Sequence, residues 1–220
     1  MDAPHVGQIP RPEGMGQELG DLFAALSQEL VFIRVRWNQY RILFCNDPAS
    51  IGPLNLTASS FFNMVQDLIF EDTVLAIARL VGKDTSCGYD VLSIESLTRL
   101  VNENRRGEMA SRVKDAQDAA AFTMEWRHRR IAHRDLGLAL KRTNAMPLPE
   151  ITRAQVEDAL STLDEVLNFV QEHYNGARTV YSSAHFSGDA SDLLYIIRSG
   201  LDREREQLHP TSVEKVKFAP

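Results

Sequence analysis

The chain has 220 residues, of which 44% are hydrophobic and 25% are charged, and its formal net charge is −6 at pH 7. This length and apolar content predict one domain of ordinary size with an appendage, and the acidic balance argues against a surface that coats nucleic acid non-specifically. The two cysteines, Cys45 and Cys87, lie far apart and form no Cys-x-x-Cys pair, so the sequence indicates neither a zinc site nor a disulfide framework.

The N-terminal segment, residues 1–16, is rich in proline and glycine and is predicted to be a flexible tail. It lacks the basic start and the apolar stretch of a signal peptide. No later segment reaches the ~18 consecutive apolar residues that a membrane span needs. We therefore expect a cytoplasmic protein that does not associate with a membrane.

The first predicted helix covers residues 17–44, where apolar residues recur at alternating spacings of four and three. Asn46-Asp47-Pro48 is expected to end it, because proline disfavours helix at the residue before it. Residues 45–56 are predicted to form a loop.

The second predicted helix begins at Ser59 or Ser60 and runs to about Val81. Its face is predicted to be heavily buried and includes Phe61, Val65, Leu68 and Leu75. Asp72 falls on the same face, and an interior carboxylate needs a partner. We expect an ion pair between Asp72 and Arg79 or another buried cation.

A short third helix is predicted after Ser93, a typical N-cap residue, and a fourth from Glu108 to about Leu136. One face of the fourth helix carries apolar and small residues at helical spacing: Met109, Val113, Ala116, Ala120 and Thr123. The next positions on that face are Arg127, Arg130 and Arg134. A face that should meet the core thus becomes cationic in its last turns.

The basic cluster, Glu125–Asp135, places four arginines and two histidines in eleven residues of an acidic chain. Cations at a helix C-terminus also interact favourably with the helix dipole, by roughly 0.3–1 kcal/mol each. One or two cations would be enough for that role. The cluster therefore predicts a site for an anion, with helix capping as the alternative.

Thr152 and Gln155 have the spacing of a capping box and predict the start of a fifth helix, which Asn175-Gly176 ends. A last helix is predicted from about Asp189 to Gln207. Because no segment alternates with a period of two, the sequence predicts an all-α fold, an up-and-down bundle of four long helices with additional short helices. The predicted domain limits are 17–176 for the bundle, 177–210 for a C-terminal helical appendage and 211–220 for a tail.

Arg127-His128-x4-His133 resembles the Arg-polar-x(3–5)-His motif of the HEPN superfamily of small helical-bundle proteins. Further segments are similar in order and spacing to the abortive-infection, AbiU-like branch of that superfamily, across roughly residues 20–200. They are Leu43-Phe44, Ser60–Asp67, Ala78-Arg79-Leu80, Leu92–Leu97, Arg129–Asp135 and Gly188–Leu194. The segment from Arg79 to Asp84 departs from the Arg-Leu-x-Asp that the resemblance predicts.

The resemblance implies a metal-independent endoribonuclease of a toxin–antitoxin or phage-defence system, without a cofactor. It makes His133 the candidate base for the RNA 2′-hydroxyl and Arg127 the candidate stabiliser of the phosphate, roles that suit imidazole and guanidinium groups. The implied products carry a 2′,3′-cyclic phosphate and a 5′-hydroxyl. His128, Arg130 and Arg134 are secondary candidates for contacts with phosphates of RNA or of a nucleotide.

The spacing of the two catalytic candidates raises a geometric condition. Six residues of an ideal α-helix rise about 9 Å and rotate about 240°, so Arg127 and His133 of one chain need not converge. HEPN proteins characteristically pair two such motifs around one groove. We therefore expect a homodimer whose site lies at an isologous interface.

Three alternatives stay open. A metal-dependent hydrolase could use Glu125, His128, His133 and Asp135, although the sequence has no His-Glu-x-x-His and no histidines four apart. A non-catalytic HEPN module could bind RNA, a nucleotide, or a partner such as an antitoxin or another defence protein. A structural helical dimer could present the basic cluster to an acidic protein.

Overall fold

A computed structural model of the protein describes residues 14–44, 47–131, 135–143 and 145–208. The helices are α1 (Gln17–Phe44), α2 (Pro48–Leu80), α3 (Leu97–Leu100), α4 (Arg106–Ala119), α5 (Ala121–Trp126), α6 (Leu136–Ala139), α7 (Arg153–Asn175) and α8 (Ala190–Leu208). Within these ranges the only strands are β1 (Thr85–Ser86) and β2 (Tyr89–Asp90), which form an antiparallel hairpin. The predicted all-α class is confirmed.

The ends of α1, α7 and α8 lie at or within one residue of the positions that the sequence predicts. α1 has the predicted bounds, and α8 lies within one residue of them at each end. At the start of α7 the Thr152 hydroxyl accepts a hydrogen bond from the backbone N–H of Gln155 at 3.2 Å, and the Gln155 side chain accepts one from the Thr152 N–H at 2.8 Å. Gly176 ends α7 with φ of 65°, a conformation that glycine adopts without strain.

The predicted loop over residues 45–56 is wrong for its described part, because α2 begins at Pro48. The Asp47 carboxylate accepts a hydrogen bond from the Ala49 N–H at 3.0 Å, as in an N-cap. Proline suits the first helical turn, where its missing N–H has no helical partner in any case. The backbone leaves helical geometry at Ala58 (φ −159°, ψ 65°), next to the predicted start of the second helix.

The prediction of a buried face at Phe61 and Leu68 is also wrong, since their side chains are 54% and 58% exposed. The buried residues of α2 include Phe62, Val74, Ala76, Ile77, Ala78 and Leu80. α2 has apolar residues around most of its circumference, so periodicity alone does not select the face that is buried. The Asp72 carboxylate is partly exposed and pairs with Arg36 of α1, not with Arg79.

The predicted single fourth helix is divided. α4 ends at Ala119, α5 follows after a turn at Ala120, and residues Arg127–Ile131 form a π-helix. The predicted apolar face is nevertheless confirmed, because Met109, Val113, Ala116, Ala120 and Thr123 are all buried. α4 packs against α7.

The chain divides into two compact units. One comprises Met1–Trp37 and Leu68–Ala184, and the other Asn38–Asp67 and His185–Pro220. The predicted limits at residues 16, 176 and 210 stay predictions, and the predicted tails 1–16 and 211–220 fall wholly or mostly outside the described residues. No helix in the described part of the chain is both long and apolar enough to pass through a membrane.

A buried arginine joins α1 to α7. The Arg34 guanidinium donates to Asp164 at 3.2 and 2.5 Å and to Glu157 at 3.0 Å, and its side chain is only 4% exposed. The other Glu157 oxygen accepts a hydrogen bond from the Trp37 indole at 2.7 Å. Burial raises the pKa of Asp164 above its ordinary value, and Arg34 opposes that rise.

We expect Arg34→Met to lower the free energy of unfolding by about 3 kcal/mol at pH 7, the low end of the range for a buried ion pair, because it leaves the half-buried Asp164 carboxylate unpaired. A carboxyl group whose pKa is higher in the folded than in the unfolded protein stabilises the fold at pH values below its unfolded pKa. This stabilisation is lost as the pH rises through the folded pKa. Without Arg34 the pKa of Asp164 rises further, so the loss should shrink as the pH falls from 7 towards 5. Urea unfolding of the wild type and the variant at pH 7 and at pH 5 measures the loss in the free energy of unfolding.

Arg178→Met is the matched control. Arg178 pairs with Glu165 and Glu172 at the surface, where solvent screens the interaction. Its effect should be much smaller at either pH. Equal losses for the two variants would contradict a dominant role of the buried pair.

Candidate functional site

Five residues of the basic cluster, Arg127–Ile131, form a π-helix. Such segments are rare, and they occur mostly as single turns within α-helices, frequently at functional sites. The preceding residue, Trp126, is fixed by a hydrogen bond from its indole to the Pro149 carbonyl at 2.8 Å and by an edge contact with Phe70 at 5.5 Å between ring centroids. Over Arg127–Ile131, the spacing of an ideal α-helix therefore does not describe how the side chains are arranged.

Arg129 has a structural role in the cluster. Its guanidinium donates to Glu125 at 2.6 Å, to Asp135 at 3.4 Å and to the carbonyl oxygen of Met146. The hydrogen bond to Glu125, with a further one to Asp135, raises the pKa of Arg129 above its ordinary value. Arg129 therefore joins the π-helix to the turn at Asp135 and to the segment at Met146.

Asp135 closes the cluster and opens α6. Its carboxylate accepts a hydrogen bond from the Leu138 N–H at 3.0 Å, in the manner of an N-cap. This backbone hydrogen bond, with the one from Arg129, lowers the pKa of Asp135 below its ordinary value. Among the described residues, no group of three or more His, Cys, Asp and Glu side chains is placed to hold a metal ion.

Arg127 is half-buried and lines a cleft of about 670 Å³ within the larger compact unit. It forms no ion pair with any residue in the described ranges, in contrast to Arg129. The other residues that line the cleft are Glu29, Ala78, Arg79, Leu80, Gly82, Lys83, Thr85, Ser86, Val91, Leu92 and Met124. An unpaired guanidinium at a concave surface is suited to binding an anion.

The remaining candidates are placed differently. His128 is exposed, and Arg130 is exposed and donates to Glu71 at 2.8 Å. Of the described candidates, only Arg127 lines the cleft. His133 and Arg134 lie outside the described residues. The catalytic and phosphate-binding roles of all five residues stay predictions.

Arg79 and Lys83, two exposed cations of the same cleft, were not predicted as site residues. The sequence left Asp72 to pair with Arg79 or with another buried cation, and Arg36 is the residue that pairs with it. Neither Arg79 nor Lys83 forms an ion pair within the part of the chain that the structure describes. The signal that could have identified them is the presence of two cations within five residues, Arg79–Lys83, at the C-terminal end of α2.

The comparison with protein families gives a match over most of the chain. The HEPN_AbiU2 model, described as AbiU2, matches residues 16–193, a range that includes the basic cluster and every residue of the cleft. No curated protein and no solved structure matches the chain.

Proposed function

The chain belongs to the AbiU2 family of HEPN proteins, and on that premise we propose that it is a metal-independent endoribonuclease of the toxin or phage-defence type. The observation that carries the proposal is Arg127, a half-buried guanidinium that lines a cleft and has no ion-pair partner among the described residues. It lies within the Arg-polar-x(3–5)-His motif of the family. The family match supports the superfamily assignment, and the cleavage activity is our proposal.

The charges of the cleft favour an anionic substrate. Three cations, Arg79, Lys83 and Arg127, face one carboxylate, Glu29, and Glu29 is itself paired with Arg36 at 3.4 Å. The chain as a whole is acidic, with a formal net charge of −6. Binding of RNA is thus expected at this confined surface and not over the whole protein.

In the proposed reaction, His133 accepts the proton of a ribose 2′-hydroxyl while the 2′-oxygen forms a bond to the adjacent phosphorus. The bond from phosphorus to the 5′-oxygen breaks, and that oxygen takes a proton from water and leaves as a 5′-hydroxyl, while the proton on His133 returns to solvent. Arg127 contacts the phosphate oxygens and stabilises the negative charge that they gain in the pentacoordinate state. The remaining product is a 2′,3′-cyclic phosphate, and none of these steps requires a metal ion.

A homodimer is part of the proposal, because it would bring two copies of the basic cluster around one groove. Activity per chain should then fall on dilution, in parallel with dissociation of the dimer in analytical ultracentrifugation. Full activity of a strictly monomeric protein at micromolar concentration would contradict this part of the proposal. In a toxin role, an antitoxin or another defence protein would be the expected cytoplasmic partner.

The decisive experiment incubates the purified chain with end-labelled single-stranded RNA and a chelator. We expect cleavage that is independent of added divalent cations and that leaves 2′,3′-cyclic phosphate ends. Cleavage only after a metal ion is restored, or products with 5′-phosphates, would exclude the mechanism. Binding without cleavage would identify an RNA-binding module instead.

A further inference from the structure

Resting on the proposed function, we infer that the cleft beside Arg127 holds one nucleotide of single-stranded RNA next to the scissile bond. Arg79 and Lys83 contact the phosphate of that nucleotide. An apolar wall formed by Val91, Leu92 and Met124 contacts its base. The inference assigns a binding role to residues outside the basic cluster.

The case for a phosphate depends on unpaired charge. Arg79 and Lys83 are both exposed, and neither has an ion-pair partner among the described residues. Cations without a partner in the folded chain can bind an anionic ligand without first breaking an internal ion pair. Arg79 can also contact two phosphate oxygens at once through its planar guanidinium.

The case for a base depends on the apolar residues that line the cleft. Val91 and Leu92 are 38% and 37% exposed, and Met124 is half-buried, so all three present apolar surface to the cleft that they line. At about 670 Å³, the cleft has the size of a typical small-molecule site, for which roughly 300–1,000 Å³ is usual. A base can reach such a wall only when it is unstacked, which favours a single strand over a duplex.

The segment that carries Lys83, Val91 and Leu92 is held in place. The Ser93 hydroxyl donates to the Gly82 carbonyl at 2.5 Å, and the Gln117 side chain donates to the Val81 carbonyl at 3.2 Å. Asp84 accepts from the Ser96 hydroxyl at 3.0 Å, and its N–H donates to Glu95 at 2.9 Å. Because this segment is already fixed in the folded protein, binding of a ligand costs little conformational entropy of the chain, which favours affinity.

The test compares Arg79→Ala/Lys83→Ala with the charge-matched control Arg99→Ala/Lys114→Ala, whose two residues are exposed and lie outside the cleft. Fluorescence anisotropy with a labelled single-stranded RNA is measured in chelator at several salt concentrations. The cleft variant should bind at least tenfold more weakly than the control. A plot of the logarithm of the RNA association constant against the logarithm of the salt concentration should be less steep for the cleft variant. The magnitude of its slope should be smaller by about 0.7, the value for one phosphate of a single strand.

The apolar wall is tested with Val91→Ser/Leu92→Ser on intact RNA and on RNA with an abasic position. The variant should lose affinity for intact RNA and bind abasic RNA as the wild type does. If the wild type cleaves RNA but the cleft variant binds like its control, the inference is overturned and the proposed function stands. If neither the wild type nor the variants cleave RNA but binding still depends on Arg79 and Lys83, the nuclease proposal fails and the nucleotide-binding site stands.

Discussion

The His133→Ala variant is expected to cleave RNA more slowly than the wild type by a factor on the order of 10²–10⁴, the usual contribution of a general base. Alanine cannot accept the proton of the 2′-hydroxyl, so the attacking oxygen stays protonated and is a poor nucleophile. RNA binding should change much less, because the phosphate contacts are assigned to arginine and lysine side chains. Single-turnover cleavage and anisotropy on the same RNA separate the two effects.

His173→Ala is the matched control for the loss of an imidazole. His173 is exposed on α7, where it contacts the Asn102 side chain at 3.1 Å, and it does not line the cleft. Its cleavage rate should equal that of the wild type. A His133→Ala protein that cleaves at the wild-type rate in chelator would remove His133 from the mechanism.

The parts of the fold that the sequence predicted well depend on contacts close together in the chain. Thr152 and Gln155 cap α7 through side chains three residues apart, and Gly176 ends it because glycine readily adopts positive φ. The apolar face of α4 and α5 was predicted for a similar reason. Met109, Val113 and Ala116 share one side of α4, and α4 packs on α7.

The parts that the sequence did not predict depend on contacts between distant segments. Asp72 has cations available at several positions, and only the fold brings Arg36 next to it and leaves Arg79 facing the cleft. The predicted fourth helix is divided at Ala120 and changes to a π-helix at Arg127, but the sequence has no proline or glycine at either place that would predict this. The cleft therefore could not be assembled from the basic cluster alone, since two of its three cations lie about 45 residues earlier.

Arg127 and Arg129, two residues apart on the π-helix, offer the sharpest comparison between a functional and a structural arginine. Arg127→Ala should lower the rate of RNA cleavage by a factor on the order of 10²–10³, typical for loss of one group that stabilises the transition state. Its melting temperature should stay that of the wild type, since no ion pair of the described residues depends on Arg127. Differential scanning fluorimetry and single-turnover kinetics measure the two quantities.

Arg129→Ala should give the opposite pattern. Its removal frees Glu125 and Asp135 and leaves the Met146 carbonyl without its donor, so the melting temperature should fall.

Arg127→Lys completes the set, because lysine keeps the charge but not the planar fork, and it should recover RNA binding more than cleavage. If Arg127→Ala destabilised the fold as strongly as Arg129→Ala and cleaved RNA at the wild-type rate, Arg127 would be a structural residue. The cleft would then be a basic surface without a catalytic group of its own among the described residues.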